Sequence, residues 1–152
     1  MTRPTIRPAR PEDLPALLAM VQALARHHGD TPRLDEADLQ RDLFSAQPWL
    51  SVLVADLPTG LAGYAALVPQ AQLQNGLRGM DLHHLYVRPD DRNLGIGSQL
   101  IDAAVAHARR HGCAWLTVGA QPGNAGARAF YERRGFLPRP VTADRLARRL
   151  AA

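Results

Sequence analysis

The sequence predicts a mixed α/β domain in which helices cover both faces of a central, mostly antiparallel sheet. Two apolar, partly β-branched runs separated by turn-forming residues occupy the first half of the chain and are typical of an antiparallel hairpin. The second half alternates strand-like and helix-like patterns, which indicates a crossover unit with neighbouring parallel strands. With 152 residues, 46% of them hydrophobic, the chain is of a size to fill one core. We therefore expect a single domain over residues 1–152.

The N-terminal third predicts a short edge strand at residues 5–7 and two amphipathic helices. Proline and acidic residues at positions 11–13 mark a helix start, and apolar residues follow at helical spacing up to Gly29. A second helix is predicted over residues 35–44. The residues of the first helix that we expect to face the core are Leu14, Leu17, Leu18, Val21, Leu24 and Ala25.

The middle of the chain predicts three strands. Residues 49–55 and 61–68 form the hairpin, because residues 56–60 have the composition of a turn. A polar loop around residues 70–79 separates the hairpin from a third strand at residues 80–87. After this strand the sequence predicts a helix that ends at Gly112 and a strand at 114–118. A helix follows at 124–134, with Asn124 as its N-cap and Gly135 at its C-cap. The last predicted elements are a strand near 136–139 and an arginine-rich helix from Thr142.

Composition limits the class of protein. All 18 basic residues are arginines and the formal net charge is +4, but the arginines are scattered and no basic run alternates with aromatic residues. This pattern disfavours a nucleic-acid partner, although it suits a small polyanionic ligand. No apolar run approaches the ~18 residues of a membrane span and no secretion signal is visible, so we expect no membrane contact and a cytoplasmic location. Cys113, the single cysteine, lies beside a predicted buried strand and is expected to have a packing role.

A glycine-containing stretch predicts a phosphate site. Gly95 and Gly97 stand between a strand and a helix, and Arg92 precedes them. A helix N-terminus presents unpaired N–H groups and a positive dipole end, glycine lets a ligand approach the main chain, and arginine adds a planar phosphate contact. Leu100 occupies the third glycine position of the dinucleotide fingerprint, and the P-loop needs a lysine that the chain lacks. The stretch therefore matches neither of these two patterns but is still suited to bind a pyrophosphate. The alternative is that the two glycines only form a tight turn into the helix.

Three motifs resemble those of one family. V-R-P-D-D-R-N-L-G-I-G-S-Q-L, residues 87–100, resembles the acetyl-CoA pyrophosphate loop of the GNAT superfamily of N-acetyltransferases. N-A-G-A-R-A-F-Y-E-R-R-G-F, residues 124–136, resembles the second cofactor-side motif, and R-P-x-x-x-x-D-L at residues 7–14 resembles the opening strand and helix. The resemblance implies a GNAT-like sheet with a splayed parallel strand pair. It also implies acetyl transfer from acetyl-CoA to a primary amine of a small molecule or a peptide N-terminus, by direct attack without an acyl-enzyme.

The resemblance further implies roles for matching positions. Backbone N–H groups of residues 93–98, with Arg92, would hold the pyrophosphate, and the main chain of residues 85–87 would pair with the pantetheine arm. Asn124 would contact the CoA arm. Tyr131 would stand near the sulfur, either as general acid or only orienting the sulfur by a hydrogen bond. The implied cofactor-binding set is Leu85, Tyr86, Val87, Arg92, Asn93, Leu94, Gly95, Ile96, Gly97, Ser98 and Asn124.

The general base departs from the family pattern. Relatives commonly read Glu-Asp-Leu-Tyr-Val where this chain reads His83-His84-Leu85-Tyr86-Val87. Imidazole titrates near ~6.5, so His83, in the position of the family acid, is our candidate base. Asp81 on the same face or a water chain are the alternatives. Because adjacent strand residues point to opposite faces, only one of the two histidines is expected to face the cleft, and His84 is predicted to pack within the sheet.

The acceptor amine is open at this level. The run D-L-Q-R-D-L-F, residues 38–44, resembles the diamine and polyamine acetyltransferase branch, and Asp35, Glu36, Asp38 and Asp42 could attract a polycation. The basic overall charge argues against one. A non-catalytic acyl-CoA-binding module and a basic nucleic-acid-binding domain are the alternative functions. We expect a small-molecule amine acceptor, no metal site and, as in many relatives, a possible homodimer.

Overall fold

The structure, a computed structural model, describes residues 2–151 in two compact units, one ending at Gly119 and the other beginning at Ala120. The first unit contains a five-stranded sheet in the order β1-β2-β3-β4-β5. All neighbouring strands are antiparallel except β4 and β5, which are parallel. The strands are β1 (Thr5–Pro8), β2 (Ser51–Leu57), β3 (Gly60–Gln72), β4 (Leu77–Val87) and β5 (Cys113–Val118).

Helices cover both faces of this sheet. They are α1 (Leu14–His27), α2 (Glu36–Phe44) and α3 (Ile96–Arg110). The second unit, described by itself, contains α4 (Ala125–Glu132). Side chains on α1 and α2 pack against Val54 and Tyr64 in one core cluster. Neighbouring positions such as Leu53 and Ala65 are also buried, and the period of two along a strand directs them to the opposite face, where α3 packs. The predicted mixed α/β class with a mostly antiparallel sheet is confirmed.

An ion pair ties the first strand to the first helix. The guanidinium of Arg7 donates to both carboxylate oxygens of Asp13, at 2.7 and 3.0 Å, and its Nε donates to Asp56 on β2 at 3.1 Å. Asp13 also accepts the backbone N–H of Arg10. These bonds satisfy a buried carboxylate and hold its pKa below the usual range, mainly through Arg7. The R-P-x-x-x-x-D-L motif thus has a structural role.

The predicted loop around residues 70–79 is wrong. β3 and β4 continue through it as a longer hairpin, with Gln70 opposite Gly79 and Gln72 opposite Leu77. The turn needs only residues 73–76, and Gly76 supplies the left-handed conformation (φ 63°) that closes it. Polar residues here occupy an exposed end of the sheet, so their composition imitates a loop.

The C-terminal strand and helix are also wrong predictions. Residues 136–151 form neither element. Their apolar side chains are almost wholly exposed, as at Leu146 (96%) and Leu150 (91%). A short helix is marginal in water unless an apolar face packs on something, and within residues 2–151 nothing covers this one.

Candidate functional site

The edge of β4 is left open toward its C-terminal end. β4 pairs with β3 as far as Val87, but its pairing with β5 stops at Leu82. Among residues 2–151, no strand therefore pairs with residues 83–87 on the β5 side. An open strand edge offers main-chain donors and acceptors to an extended ligand. This is the splayed parallel pair that the family resemblance implied.

A β-bulge lies where the open edge begins. Ala66 pairs with His84 and Leu67 pairs with Leu82, so His83 is an extra residue without a partner on β3. The bulge shifts the alternation of side chains, and both histidines line one cavity. Their rings stack with centroids 4.3 Å apart and planes 11° apart. The expectation that only one of them faces the cleft is wrong, because it assumed a regular strand.

The cavity that receives these histidines lies between α1, α2 and the sheet. It has a volume of about 410 Å³, within the usual range for small-molecule sites. Most of its wall is aliphatic, and its charged groups come from α2 and the loop before it. The aliphatic lining residues are Leu17, Val21, Leu34, Leu39, Leu43, Leu50, Val52 and Ala66, and the remaining ones are Arg33, Asp38, Arg41, Asp42, Tyr64, His83 and His84. We call it the acceptor cavity.

His84 is held by a buried tyrosine. The hydroxyl of Tyr64 lies 3.0 Å from Nδ1 of His84. Burial is the main cause that lowers the pKa of His84 to about 4, with nearby His83 adding to it. His84 is therefore a neutral imidazole at physiological pH and cannot hold a proton taken from an amine. It is not simply a packed strand histidine, since it lines the cavity.

Asp81, the alternative base, lies on β4 outside the cavity wall. Its Oδ1 accepts a hydrogen bond from Oγ1 of Thr117 at 2.6 Å, across the β4–β5 pair. The hydroxyl of Thr117 and the indole N–H of Trp115 are also within hydrogen-bond distance of Gln70. The carboxylate thus belongs to a polar cluster between strands, whereas His83 is exposed to the cavity.

The predicted pyrophosphate loop follows the open edge. Gly95 is the N-cap of α3 in the left-handed conformation (φ 81°), and Asn93 also has a positive φ of 64°. Gly95 has no side chain with which to cap the helix. The first N–H groups of a helix have no intrahelical acceptor, so this N-terminus can bind an anion through its backbone. The positive φ, rather than crowding, requires glycine at position 95, because a Cβ there would meet open space.

Arg92 lies against the end of β4. Its Nε donates to the carbonyl of Val87 at 2.9 Å, and its guanidinium lies 5.8 Å from the ring centroid of Tyr86. Within residues 2–151 its two Nη groups have no partner. The residue thus keeps a positive charge between the open edge and the start of α3, as a phosphate contact requires.

The β3–β4 contact beside this loop depends on a glycine. A Cβ on Gly63 would lie 2.3 Å from the carbonyl oxygen of Tyr86 and 3.2 Å from Cα of Val87. Both of these atoms belong to the backbone, so they cannot move away by a change of side-chain rotamer. Gly63 therefore permits the position of the strand segment whose other edge is open.

The remaining predicted site residues belong to the second unit. Asn124 caps α4, since its Oδ1 accepts from the N–H of Ala127 at 3.0 Å, as the sequence predicted. Tyr131 lies on α4, edge-on to Phe136, and burial raises the pKa of its hydroxyl. That direction keeps the phenol protonated but makes complete proton transfer to a thiolate less favourable.

Sequence reasoning missed part of the site. Tyr64 was assigned only to an apolar strand, Arg33 was not assigned to any site, and Arg41 was given no role of its own within the run 38–44. Tyr64 carried no signal, since its partner is 20 residues away along the chain. Within residues 2–151 there is no group of three or more side chains suited to bind a metal, and no helix is long and apolar enough to cross a membrane.

Comparison with known proteins identifies the family of this site. Residues 16–136 match the family model described as "Acetyltransferase (GNAT) family". An L-methionine sulfoximine/L-methionine sulfone acetyltransferase of Pseudomonas aeruginosa is 32% identical over 142 residues, which covers 87% of this chain and 79% of that protein. The thialysine N-epsilon-acetyltransferase of Bos taurus is 29% identical over 140 residues, covering 86% and 82%.

Solved structures share the fold. An aminoglycoside acetyltransferase from an uncultured soil metagenomic sample, in complex with sisomicin, superposes with a TM-score of 0.78 at 19% identity, covering 95% of this chain and 96% of that one. A putative acetyltransferase from Agrobacterium tumefaciens gives a TM-score of 0.78 at 24% identity, covering 94% and 99%. At these identities the similarity concerns the fold.

Proposed function

This chain belongs to the GNAT family of acetyltransferases and transfers an acetyl group to an amine, and we propose that acetyl-CoA donates the group to a small molecule in the acceptor cavity. The observation that carries the proposal is the position of the open β4 edge. His83 stands at one end of it and the start of α3, with Gly95 as its N-cap, follows the other. At about 3.3 Å per residue, the segment from His83 to Val87 spans roughly 13 Å. The pantetheine arm of acetyl-CoA, which links the pyrophosphate to the thioester, can extend along an edge of this length.

The residues present fit the nucleotide end of acetyl-CoA. The backbone N–H groups of residues 93–98 and the guanidinium of Arg92 would hold the pyrophosphate. The main chain of Leu85, Tyr86 and Val87 would pair with the amides of the pantetheine arm, as an added strand does. Asn124 is proposed to contact the same arm, following the motif resemblance. When bound, the cosubstrate supplies an acetyl thioester.

We assign the base to His83. The acceptor enters as an ammonium ion and must lose a proton before its nitrogen can attack. His83 is exposed to the cavity, whereas the lowered pKa of His84 and the bond from Thr117 to Asp81 disfavour these two as bases. After His83 takes the first proton and passes it to solvent, the amine forms a C–N bond to the acetyl carbon and the C–S bond breaks. The nitrogen gives up a second proton as the neutral amide forms. The electron pair leaves on sulfur as a thiolate, which needs a proton.

Tyr131 is our proposed donor to that sulfur. Support comes from the match of residues 124–136 to the family motif and from the raised pKa, which keeps the hydroxyl protonated at neutral pH. Because a phenol is a weaker acid than a thiol, a hydrogen bond that stabilises the thiolate is the alternative to full proton transfer. The cytoplasmic location and the homodimer stay predictions of the sequence.

The test of this function combines binding and turnover. We expect acetyl-CoA to bind with measurable heat and to raise the melting temperature, and a panel of primary amines to cause release of free thiol. The control is Gly95→Val, because a β-branched residue at φ 81° must distort the start of α3. Absence of acetyl-CoA binding, or binding without thiol release from any amine, would contradict the proposal.

A further inference from the structure

We propose that the acceptor is a free α-amino acid with an uncharged, largely apolar side chain, and that the cavity discriminates against diamines and polyamines. This inference rests on the proposed function and names the substrate class of the same site. It follows from four properties of the cavity: its aliphatic walls, the occupation of its carboxylates, the neutrality of its inner histidine and one arginine without a partner.

The walls favour an apolar body. Leu17 and Leu39 are buried, and Val52 and Ala66 continue the surface on the sheet. Burying a side chain of the size of valine or leucine gains about 1.5–3 kcal/mol, whereas an ammonium group buried without a partner is strongly disfavoured. An acceptor with an aliphatic or thioether side chain therefore gains binding energy here that a second charged group would lose.

The carboxylates that would attract a polycation are already engaged. Asp35 caps α2 and accepts from the N–H of Asp38, and Asp38 accepts from the N–H of Asp35. Asp42 holds Arg41 through both oxygens, at 2.9 and 3.1 Å, and Arg41 also lies 3.5 Å from Asp38. Glu36 does not line the cavity. No carboxylate of the described wall is left for a second ammonium group, so the suggestion of a polyamine branch from the sequence motif is not supported by this charge arrangement.

The inner end of the cavity also lacks negative charge. Tyr64 donates its hydroxyl hydrogen to Nδ1 of His84, because the buried hydroxyl has no other acceptor within residues 2–151. The remaining hydrogen of the neutral ring is then on Nε2. His84 thus presents an N–H donor and no charge to the acceptor, and it offers nothing to a cationic side chain.

Arg33 supplies the complementary charge. It lines the cavity, and within residues 2–151 its guanidinium forms no hydrogen bond or ion pair. A planar guanidinium binds a carboxylate through two parallel hydrogen bonds, which fixes orientation as well as charge. With the carboxylate at Arg33 and the side chain against the aliphatic wall, the α-amine is the group left to meet His83. Arg33 also repels a cationic side chain.

The experiment compares four acceptors by thiol release, and by calorimetric binding to the protein loaded with CoA. They are methionine, methioninamide, thialysine and 1,3-diaminopropane. Methionine should show the highest kcat/KM, about tenfold or more above each of the others, because a hydrogen bond to a charged group contributes about 1.5–3 kcal/mol. Equal use of the amide, a preference for thialysine or the diamine, or failure of methionine to bind would overturn the inference.

Two variants and a control sharpen the test. Arg33→Gln should reduce the preference for methionine over its amide to less than about threefold. Arg41→Gln should free Asp42 and raise the kcat/KM for thialysine and the diamine. Arg26→Gln, an exposed arginine outside the cavity, should change neither preference. Unchanged preferences in both cavity variants would overturn the inference, while loss of acetyl-CoA binding in the wild type would instead contradict the proposed function.

Discussion

The hydroxyl of Tyr64 and Nδ1 of His84 lie 3.0 Å apart at the inner end of the acceptor cavity. Tyr64 is 1% exposed, and burial raises the pKa of its hydroxyl far above the usual value. The tyrosine therefore keeps its proton, and its hydroxyl donates a hydrogen bond to Nδ1 of the histidine. This relationship determines which nitrogen of His84 carries hydrogen and removes His84 from the candidates for general base.

The first prediction concerns this tautomer. Long-range ¹H–¹⁵N NMR spectra at pH 7 should show His84 protonated on Nε2 alone, and Tyr64→Phe should give a mixture of tautomers. We expect Tyr64→Phe to lower the free energy of unfolding by about 1 kcal/mol, because one hydrogen bond is lost at a buried site. A wild-type spectrum with hydrogen on Nδ1 would contradict the assignment.

The first prediction extends to the pH dependence of stability, through the same histidine. Its pKa is about 4 in the folded chain against about 6.5 unfolded, so the unfolded state binds more protons between these values. The free energy of unfolding should therefore rise with pH from about 4 to 6.5. Urea titrations of the wild type and of His84→Gln across this range measure the contribution, and the variant should show a smaller rise.

The second prediction concerns the base. His83→Ala should lower kcat/KM by about 10²–10⁴-fold at neutral pH and change its pH profile, because the group that accepts the proton is removed. Because the bulged residue has no ladder partner, the stability of this variant should be close to that of the wild type. His111→Ala at the end of α3 is the matched control. An unchanged pH profile in His83→Ala would reassign the base.

The third prediction concerns the leaving group. Tyr131→Phe should lower kcat by about tenfold to a hundredfold with little change in KM for the acceptor. Since burial raises the pKa of Tyr131, the wild type should keep its activity up to about pH 10. If kcat of the variant equals that of the wild type, Tyr131 has a packing role alone. If the wild type loses activity near pH 8 and the variant does not, the raised pKa of Tyr131 is contradicted.

The fourth prediction uses the close approach of β3 to β4. Gly63→Ala should push the backbone of Tyr86 and Val87 away and cost about 1–3 kcal/mol of stability, and it should weaken acetyl-CoA binding. Gly119→Ala is the control, because its Cβ meets open space and its φ is not positive. Urea unfolding and calorimetry with acetyl-CoA measure the two effects. If both variants bind acetyl-CoA with equal affinity, Gly63 does not influence the open edge of β4 as a binding site.

The fifth prediction concerns the Arg7–Asp13 pair. Asp13→Ala should lower the free energy of unfolding by about 3 kcal/mol at pH 7, because it leaves a half-buried guanidinium without its main partner. The pKa of Asp13 is lowered in the folded state, so this stabilisation exists above about pH 4 and is lost as pH falls through the folded pKa. The difference from the wild type should shrink in acid. Asp30→Ala, an exposed aspartate, is the control.

Local patterns predicted most of the elements. α1, α2 and α3 follow from apolar spacing and from the stop signals at Gly29 and Gly112, both of which have positive φ. The β2–β3 hairpin and the cap at Asn124 follow from turn and capping chemistry. These features depend on interactions between residues that are close in the chain, which a single sequence displays.

Features that depend on distant residues were not predictable. The bulge at His83 arises from the register between β3 and β4, and no local signal distinguishes it from a regular strand. For that reason the two histidines were assigned to opposite faces. The aliphatic cavity likewise requires α2 to pack opposite Tyr64, and the C-terminal segment has the composition of a helix but nothing among residues 2–151 to pack on.

The unpaired position of His83 has a consequence for how this site can change over evolutionary time. A residue outside the ladder can be exchanged for a carboxylate, an amide or another imidazole while every interstrand bond of the neighbouring residues persists. The chemical type of the side chain at position 83 can thus change without loss of the strand pairing around it. Removal of that one position, by contrast, would place Leu82 and His84 in direct succession opposite Leu67 and Ala66, and the cavity would lose one of its two histidines.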